Sequence, residues 1–449
     1  MKKCKFFGTD GIRGVVGQDF DTELVTRIAN ATAAFIQKRP AKVIIGWDTR
    51  ASCDFIVDIL AGTLAYYGID VVKVGVVPTA ALSFLTNKLK ANLGIMVSAS
   101  HCTTKYNGVK FFTDVGEKLS NAQTFEFDKL IVKKTKPTAA GKIIGTSTQD
   151  LKAIKLWHKF LANKFKSTIK RDIKVAVDCA KGSGTQCAKE VLKALGVKAT
   201  FFNDTSTGFD INDGCGATKP VFMNNAMAKK GFDIGFAFDG DADRCIVFDG
   251  QGNHIHGDIV IYLLAKYLKN QGKLAKNKVA GTILFNLGME KELGGQGIKL
   301  IRTDVGDAYV YHAMKVEKLS MGGETSGHIN FADVWCTGDG LVVALMVMSV
   351  IASETKQSSI NELVSNVSLF PQININTDAT PEQKKQLFKD AGFLAYVKQQ
   401  QKKHTDFRII VRPSGTENIV RVTVEGPDTK MCEKIATEII AQIRKTLVK

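Results

Sequence analysis

The chain has 449 residues, 45% of them hydrophobic and 23% charged, which is typical of a soluble globular protein with several domains. Its first residues lack the apolar segment of a secretory signal, and its longest apolar run, Leu341–Ala352, is too short for a membrane span and predicts a buried helix. Nine cysteines without a CxxC pair favour a reducing cytoplasm over disulfides or structural zinc. We therefore expect a cytoplasmic protein without membrane insertion.

The excess of positive charge does not indicate a nucleic-acid-binding protein. Lysine and arginine total 61 against 44 aspartate and glutamate residues, which gives a formal net charge of +17. The lysines are spread along the chain, without the basic stripe and interleaved aromatic residues that nucleic-acid binding favours. We expect a solvated, lysine-rich surface that also attracts small anionic substrates.

A strand–helix–glycine–strand pattern occurs three times and predicts three related α/β domains with mixed sheets. The first repeat begins with the strand Lys42–Gly46, the second with Lys174–Asp178 and the third with Lys278–Leu284. Glycine at the expected end of each helix supports this prediction, because a left-handed residue commonly terminates a helix.

The segment after Pro371 has a different pattern. One helical stretch, Pro381–Gln400, is followed by the strands Phe407–Val411 and Ile419–Val424 and by a last helix. This order predicts a small C-terminal α+β domain with hairpin-like strands. The expected domains are residues 1–150, 151–250, 251–370 and 371–449.

A short polar segment, Ser98–His101, follows the predicted strand Leu93–Val97. Ligands of α/β proteins bind at the carboxyl ends of strands, so Ser100 is a candidate nucleophile. Taken alone, the segment fits a structural turn better. His101 is adjacent in sequence and no acidic residue is evident to orient it, so a hydrolase triad is not indicated.

Three carboxylates, Asp239, Asp241 and Asp243, follow the predicted strand Asp233–Phe238 and alternate with glycine and alanine. Small spacers let the backbone fold tightly and aim the carboxylates at one hard cation, most naturally Mg²⁺. An acidic turn is the alternative, but three like charges this close repel one another unless a cation compensates them. An EF-hand is excluded, because position six of such a loop would be Arg244 instead of glycine and position twelve would be Gly250 instead of glutamate. Three protein ligands leave room for a phosphate oxygen.

The loop Arg412–Glu417 has the composition of a phosphate-binding segment. Arg412 can contact a phosphate with two N–H groups, and Ser414 and Thr416 can donate hydroxyls. Gly415 lets backbone amides approach the anion. A plain hairpin turn is the alternative.

A second loop, Gly323–His328, places the carboxylate of Glu324 and a hydroxyl between two glycines. Such a pair suits the vicinal hydroxyls of a sugar. A loop without a binding role remains equally compatible with this segment.

Five motifs occur in the order seen in the α-D-phosphohexomutase superfamily, and the resemblance covers essentially the whole chain. They are Phe7–Gly14 (FGTDGIRG), Ser98–His101 (SASH), Asp239–Arg244 (DGDADR), Gly323–His328 (GETSGH) and Arg412–Glu417 (RPSGTE). The resemblance implies four domains around a central cleft and an intramolecular phosphotransferase. Within the superfamily, the chain most resembles bacterial members that interconvert glucosamine 6-phosphate and glucosamine 1-phosphate for UDP-N-acetylglucosamine and peptidoglycan synthesis.

The resemblance also implies roles for individual residues. Ser100 would carry a phosphoryl group, and one Mg²⁺ per chain would bind to Ser100 and the three aspartates. A hexose 1,6-bisphosphate would be both activator and intermediate. Arg13, His101 and Lys110 match positions near the reacting phosphate; which one moves the proton is open, and Lys110 qualifies only if cationic neighbours lower its pKa. The implied substrate-binding residues are Arg244, Glu324, Ser326, His328, Arg412, Ser414, Gly415 and Thr416.

The implied ligand is a small sugar phosphate. Superfamily members are often dimers, so a homodimer is an expectation from the resemblance alone, since the sequence has no interface signature. The alternatives are a phosphomannomutase or phosphoglucomutase with the same mechanism, and a non-catalytic relative that binds sugar phosphates.

The chain departs from the superfamily pattern at three places. The pair Cys102–Thr103 stands where Asn-Pro is usual, and this change is the reason to consider the non-catalytic alternative. Against that alternative, Ser100, the three aspartates, Glu324 and Arg412 are all retained. Asp304 replaces a usual lysine or glutamine, and Ala308 replaces a usual arginine, which points to an altered sugar preference. Asn418 replaces a proline after the phosphate-binding loop.

Overall fold

The computed structural model describes residues 4–8, 10–137, 144–169, 172–228, 230–353, 359–414 and 418–447. The chain divides into two compact units, the first formed by Met1–Leu284 and Ile301–Val364 and the second by Phe285–Leu300 and Ser365–Lys449. Four β-sheets and fifteen α-helices lie in the described part, in agreement with the predicted α/β class. None of the helices described combines the length and the apolar character that crossing a membrane would take.

The first sheet has six strands in the order β1-β5-β4-β2-β3-β6. Its elements are β1 (Ile12–Val15), α1 (Thr22–Phe35), β2 (Ala41–Trp47), α2 (Cys53–Tyr66), β3 (Ile69–Val76), α3 (Thr79–Lys88), β4 (Leu93–Val97), β5 (Tyr106–Thr113), α4 (Asn121–Val132) and β6 (Ser147–Gln149). Strands β2 and β4 are parallel neighbours, with Trp47 opposite Val97. The loops that follow these two strands therefore lie side by side at one edge of the sheet.

The second sheet has five strands in the order β11-β10-β9-β7-β8. Its elements are α5 (Lys155–Phe165), β7 (Lys174–Asp178), α6 (Gly184–Ala194), β8 (Lys198–Phe202), α7 (Val221–Met227), β9 (Ile234–Phe238), β10 (Cys245–Asp249) and β11 (His254–Ile255). Strand β10 is antiparallel to β9, so Asp239–Arg244 forms the tight connection between them. The repeat predicted from Lys174 is confirmed, including Gly196, whose φ of 71° is left-handed.

The third sheet has the order β13-β12-β14-β15. The next elements in the chain are α8 (Gly257–Asn270), a 3₁₀ turn (Ala275–Asn277), β12 (Lys278–Thr282), α9 (Leu287–Gly295), β13 (Lys299–Thr303), α10 (Asp307–Glu317), β14 (Met321–Gly323), β15 (Ile329–Phe331), α11 (Gly340–Ser353) and α12 (Ile360–Val364). Helix α11 contains the longest apolar run and is buried along almost its whole length, as predicted.

The C-terminal sheet belongs to the second unit and has three antiparallel strands in the order β16-β18-β17. Its elements are β16 (Gln372–Asp378), α13 (Pro381–Leu387), α14 (Ala391–Lys403), β17 (Arg408–Pro413), β18 (Ile419–Glu425) and α15 (Thr429–Leu447). Valines 420, 422 and 424 of β18 pack on the apolar side of α15, which gives this unit its own core.

The helical stretch predicted over Pro381–Gln400 is divided between two helices, and the second of them continues to Lys403. Helix α13 ends at Leu387, and Asp390 begins a new helix by accepting a hydrogen bond from the Phe393 amide at 2.6 Å. An aspartate with extended backbone at this position caps the second helix and stops the first from continuing. The sequence interpretation also missed β16, which alternates polar and apolar residues.

Candidate active site

Ser100 lies in the loop after β4, and only 1% of its surface is exposed. Its backbone is left-handed, with a φ of 51°, which is uncommon for a residue other than glycine. The Ser98 hydroxyl accepts a hydrogen bond from the Ser100 amide at 2.8 Å and donates one to Asp48 at 2.6 Å. These bonds orient the Ser100 hydroxyl towards the second sheet, where it donates to Asp239 Oδ2 at 2.7 Å.

The three predicted carboxylates form one buried cluster, whose ligand oxygens all lie within 4.8 Å of one another. The tight turn between β9 and β10 places them there, with the Ala242 amide donating to the Asp239 carbonyl at 3.0 Å. Gly240 is required sterically, because a Cβ atom at this position would lie 2.7 Å from the Ser100 carbonyl oxygen. The small spacers seen in the sequence thus let the carboxylate turn approach the serine loop.

The negative charges of the three carboxylates, together with their burial, shift the pKa values within the cluster. Burial, and then the neighbouring Asp243 and Asp241, raise the pKa of Asp239 to about 7. Burial would also raise the pKa of Asp243, but the Lys110 ammonium outweighs it and holds that pKa well below its usual range. An added cation at this cluster would therefore favour the ionised form of Asp239.

Two carboxylate oxygens of the cluster are well suited to a metal ion. Among the residues that the structure describes, Asp241 Oδ1 and Asp243 Oδ1 are buried and accept no hydrogen bond. Buried carboxylate oxygens are normally satisfied, so this pair fits coordination to a hard cation. The second oxygen of Asp241 is already held by the Thr79 hydroxyl at 2.6 Å.

Lys110 lies on β5 and is almost completely buried. Its Nζ atom lies 2.7 Å from carboxylate oxygens of Asp10 and Asp241 and 2.9 Å from one of Asp243. Burial alone would lower the pKa of Lys110, but these three anions raise it well above its usual value. The condition stated for Lys110 as a proton carrier, a pKa lowered by cationic neighbours, is not met in this structure.

His101 and two arginines lie on the open side of the cluster. Burial, followed by the positive charges of Arg244 and Arg13, lowers the pKa of His101 to about 4. The imidazole is therefore neutral near pH 7, and in the described part of the chain its buried Nδ1 atom has no hydrogen-bond partner. Arg244 Nε lies 4.0 Å from oxygens of both Asp239 and Asp243. Of the three candidate proton carriers, His101 is the one in a neutral form.

A ring of alternating acidic and basic side chains, here called the charge ring, continues from the cluster through the first unit. Lys118 Nζ lies 2.7 Å from Asp10 Oδ1 and contacts Asp307 at the start of α10. His328 lies between Asp307 Oδ2 and Asp243 Oδ1, 3.6 Å from each. Lys110, which contacts both Asp10 and Asp243, closes the ring. This network ties elements of the first and third sheets to the carboxylate turn.

The loop between β14 and β15 presents the predicted sugar-binding groups. Glu324 accepts a hydrogen bond from the Gly306 amide at 3.0 Å, and burial raises the pKa of its carboxyl. The Ser326 hydroxyl oxygen is buried and, within the described residues, has no partner. His328 differs from these two, because its side chain is only 4% exposed and faces the charge ring. Its position suits a role in holding Asp243 better than direct contact with a sugar.

Arg412 lies in the second unit, at the end of β17 and directly opposite Arg421 of β18. Burial, and then Arg421, lower the pKa of Arg412. Ser414 is buried, and the Lys384 ammonium donates to its carbonyl at 3.0 Å. Two facing arginines beside a lysine make an electropositive sheet edge, which suits an anion. The other predicted phosphate ligands, Gly415 and Thr416, lie outside the described residues.

A cavity of about 700 Å³ adjoins the site on the side of Asp10. Its lining includes Lys110, Lys118, Ala308 and Tyr309, but not Ser100. Ala308, where the superfamily usually has arginine, contributes only a methyl group to this wall. The cavity thus extends the site beyond the serine loop and the carboxylate turn.

Comparison with known proteins identifies the family of this chain. Four family models of phosphoglucomutase/phosphomannomutase match in order: α/β/α domain I at residues 5–138, domain II at 155–252, domain III at 256–370 and the C-terminal domain at 364–442. The chain belongs to this phosphohexomutase family. Its members are intramolecular phosphotransferases, so the enzyme class predicted from the motifs is confirmed. The exact domain limits at 150, 250 and 370 remain predictions.

Individual relatives of this phosphohexomutase include a phosphoglucosamine mutase from Clostridium kluyveri, 35% identical over 449 residues and covering 99% of both chains. A phosphoglucomutase/phosphomannomutase family protein from Burkholderia thailandensis has the same fold, with a TM-score of 0.82, 22% identity and coverage of 98% of this chain and 97% of that one. An Aspergillus fumigatus N-acetylphosphoglucosamine mutase, crystallised with GlcNAc-6P and magnesium, has a TM-score of 0.66 and 18% identity, covering 99% of this chain and 96% of that one.

Sequence reasoning missed several groups that the fold brings to the site. Asp10 stands inside the recognised motif Phe7–Gly14, and Asp307 lies between the two noted departures Asp304 and Ala308, but the roles of these aspartates were not predicted. Lys118 is one lysine among many in a lysine-rich chain, and no motif distinguishes it. Thr79 was invisible because its contact with Asp241 joins residues 162 positions apart.

Proposed function

We propose that this phosphohexomutase is a phosphoglucosamine mutase, which interconverts glucosamine 6-phosphate and glucosamine 1-phosphate for the synthesis of UDP-N-acetylglucosamine and peptidoglycan. The observation that carries the proposal is the 2.7 Å contact of the buried Ser100 hydroxyl with Asp239, in a cluster of three carboxylates. The full-length similarity to phosphoglucosamine mutases supports the choice of sugar. A cytoplasmic location is part of the proposal, and the nine free cysteines are consistent with it.

The metal of this proposal is one Mg²⁺ per chain. Asp239, Asp241 and Asp243 would hold it together with the phosphorylated Ser100, because their oxygens converge and, among the described residues, two of these oxygens accept no hydrogen bond. When bound, Mg²⁺ supplies positive charge that stabilises the transferring phosphoryl group. The magnesium in the structure of the Aspergillus enzyme supports this choice of ion.

The phosphoryl group resides on Ser100 Oγ between turnovers. In the forward reaction the Oγ–P bond breaks, a bond forms from phosphorus to the sugar's O1 atom, the O1 hydroxyl gives up its proton, and Ser100 Oγ takes one up. The product of this half is glucosamine 1,6-bisphosphate, which turns over in the site. In the second half the bond from phosphorus to O6 breaks, phosphorus bonds to Ser100 Oγ again as that hydroxyl gives up its proton, and O6 takes up a proton. A hexose 1,6-bisphosphate can therefore also load the serine.

The chain's own residues supply charge and a proton carrier for both halves. Lys110 remains protonated and offsets negative charge on the carboxylates, and Arg13 and Arg244 do so on the transferring group. His101 is neutral near pH 7, so its imidazole can accept the proton of the attacking hydroxyl and give it to the departing oxygen within each half. These roles rest on proximity and charge, which is how phosphoryl transfer is generally catalysed.

The sugar phosphate is held by groups that do not react. Glu324 and Ser326 would bind hydroxyls that are shared by both orientations of the sugar. Arg412 and Ser414, with Gly415 and Thr416, would bind the phosphate that is not being transferred. Because these contacts are common to both halves, the bisphosphate can be recognised in either orientation.

Kinetic comparison of sugars tests the proposal. In the presence of Mg²⁺ and a trace of glucose 1,6-bisphosphate, we expect kcat/KM for glucosamine 6-phosphate to exceed that for mannose or glucose 6-phosphate by about 100-fold, the discrimination of a few polar contacts. A preference for mannose or glucose would assign the same mechanism to another sugar, to which Asp304 and Ala308 would then be adapted. Absence of turnover with all three sugars would contradict the proposal and favour a sugar-phosphate-binding role.

A further inference from the structure

Arg50 is a buried arginine whose guanidinium donates hydrogen bonds to main-chain carbonyls of the segment that carries Ser100. Only 2% of its surface is exposed. Its NH2 nitrogen donates to the carbonyls of Ser100 at 3.0 Å and Cys102 at 2.8 Å. Its NH1 nitrogen donates to those of Thr103 at 2.6 Å and Tyr106 at 3.1 Å.

The fifth donor of the guanidinium links Arg50 to the carboxylate that orients the nucleophile. Arg50 Nε donates to Asp48 Oδ2 at 3.0 Å, and the same oxygen accepts the Ser98 hydroxyl. Ser98 in turn accepts the Ser100 amide. All five N–H groups of Arg50 therefore donate hydrogen bonds, four to main-chain carbonyls of residues 100–106 and one to the carboxylate of Asp48.

Asn212 reaches the same loop from the second sheet's side. Its Nδ2 atom donates to the carbonyls of Ser100 and Cys102, at 2.9 Å each. Its own backbone is left-handed, with a φ of 60°, and its amide donates to the Ala180 carbonyl at 3.0 Å. Two of the carbonyls bound by Arg50 thus receive a second hydrogen bond from a fixed side chain.

The loop needs such external support because its own sequence does not restrict it. Cys102–Thr103 stands where the superfamily usually has Asn-Pro, and a proline would fix one backbone angle of the loop. Ser100 also has an unfavourable left-handed backbone, which must be held by its surroundings. Within the described residues the Thr103 amide donates no hydrogen bond, so a proline at this position would remove none.

We propose that Arg50, assisted by Asn212, is the positioning residue that fixes the Ser100 loop of this chain in place of the missing proline. This inference rests on the proposed function, in that it assigns Ser100 as the group to be positioned. Arg50 contacts no reacting atom; it acts on the reaction through the loop carbonyls. Loss of its hydrogen bonds should let Ser100 leave the geometry in which its hydroxyl meets Asp239.

The test is the variant Arg50→Lys, which keeps the charge beside Asp48 and loses the planar set of donors. We expect amides of the segment 98–106 to exchange with deuterium at least about tenfold faster, from the loss of two or more charged hydrogen bonds. In the mutase reaction, the kcat of Arg50→Lys should be about 100-fold lower than that of the wild-type protein, because Ser100 is misplaced, while KM should be nearly unchanged. The matched control is Arg39→Lys, because Arg39 also binds four main-chain carbonyls (Ala33, Ile36, Lys38 and Tyr67), away from the site.

A double variant that adds a proline at position 103 gives the decisive comparison. In Arg50→Lys/Thr103→Pro, exchange of the segment should slow again by about two- to fivefold, the usual effect of a compatible proline, and kcat should rise in step. Unchanged exchange in Arg50→Lys, or the same loss of kcat in Arg39→Lys, would overturn the inference. So would a proline that leaves exchange in the double variant as fast as before.

A second variant covers the case in which Arg50→Lys does not fold. Asn212→Gly accepts the left-handed backbone and removes the two hydrogen bonds to Ser100 and Cys102, so the same faster exchange is expected. If exchange of the segment stays at the wild-type rate, the inference is wrong. Exchange is measured without substrate, so absence of turnover by the wild-type protein would refute the proposed function and leave the result on loop positioning intact.

Discussion

Ser100→Ala is expected to lower kcat by roughly 10⁵-fold or more, on the scale of losing a covalent nucleophile, while the protein still folds. The substitution removes only the hydroxyl and its hydrogen bond to Asp239. Asp239 itself is unchanged. The left-handed backbone is similar for alanine and serine, so the loop's bonds to Ser98 and its neighbours are kept. Steady-state turnover and a thermal melt check these two expectations together.

A buried serine elsewhere in the first unit is the matched control. Ser349 lies on α11, is 2% exposed and donates to the Leu345 carbonyl. Ser349→Ala should keep wild-type kcat and remain able to accept a phosphoryl group from glucose 1,6-bisphosphate at Ser100. Full activity of Ser100→Ala would remove the phosphoserine from the mechanism.

The second large effect is expected for Asp241→Asn. The change keeps the shape of the side chain and removes one of the three charges that would hold Mg²⁺. We expect kcat to fall about 10³-fold, comparable to the removal of a principal electrostatic group from an active site. Metal binding also stabilises the folded state, by about 2.7 kcal/mol at a concentration of 100 times Kd, so the Mg²⁺-dependent rise in Tm should disappear.

The melting temperature of Asp241→Asn without metal is the reference for its response to Mg²⁺. The three buried carboxylates repel one another, and this repulsion contributes to the raised pKa of Asp239. With a chelator present, Asp241→Asn relieves this repulsion but also removes a charge that lies 2.7 Å from the buried Lys110 ammonium, so the Mg²⁺ response of each protein is measured against its own chelated melting temperature. Asp204→Asn is the control, because Asp204 is a half-buried surface carboxylate paired with Lys189, and it should retain the full response to Mg²⁺. A normal Mg²⁺ response in Asp241→Asn would refute the carboxylate cluster as the metal site.

Local patterns in the sequence predicted the groups that stand at strand ends. Ser100 follows β4 and the three aspartates follow β9, and both strands have nearly the predicted bounds. These groups could be found because each lies in a short motif whose residue types state their chemistry. That the two motifs meet at 2.7 Å could be expected only from the resemblance, since 139 residues separate them.

Contacts made by single residues of common types could not be predicted. Lys118 closes the charge ring through Asp10 and Asp307, which are 108 and 189 positions away. Arg50 binds the serine loop because β2 and β4 are parallel neighbours, and this follows from sheet order, which hydrophobic patterns do not specify. The division of the predicted helix at Asp390 depended on one capping side chain.

Electrostatic roles also depended on the complete set of neighbours. The family position of Lys110 suggested a group near the phosphate, but its charge state is set by three carboxylates from two loops distant in sequence. The low pKa of His101 likewise arises from burial and from Arg244 and Arg13. Sequence alone could place these groups near the reaction but could not choose between them as proton carrier.

The central claim is that Ser100 gives its phosphoryl group to glucosamine 6-phosphate, and a single-turnover experiment tests it most directly. The protein is phosphorylated with ³²P-labelled glucose 1,6-bisphosphate, freed from the excess, and mixed with unlabelled glucosamine 6-phosphate and Mg²⁺. We predict that the label leaves the Ser100 peptide and is recovered in glucosamine 1,6-bisphosphate and glucosamine 1-phosphate, at a rate no slower than kcat. Label that stays on Ser100 while glucosamine 1-phosphate forms, or that is released only as inorganic phosphate, would contradict the account.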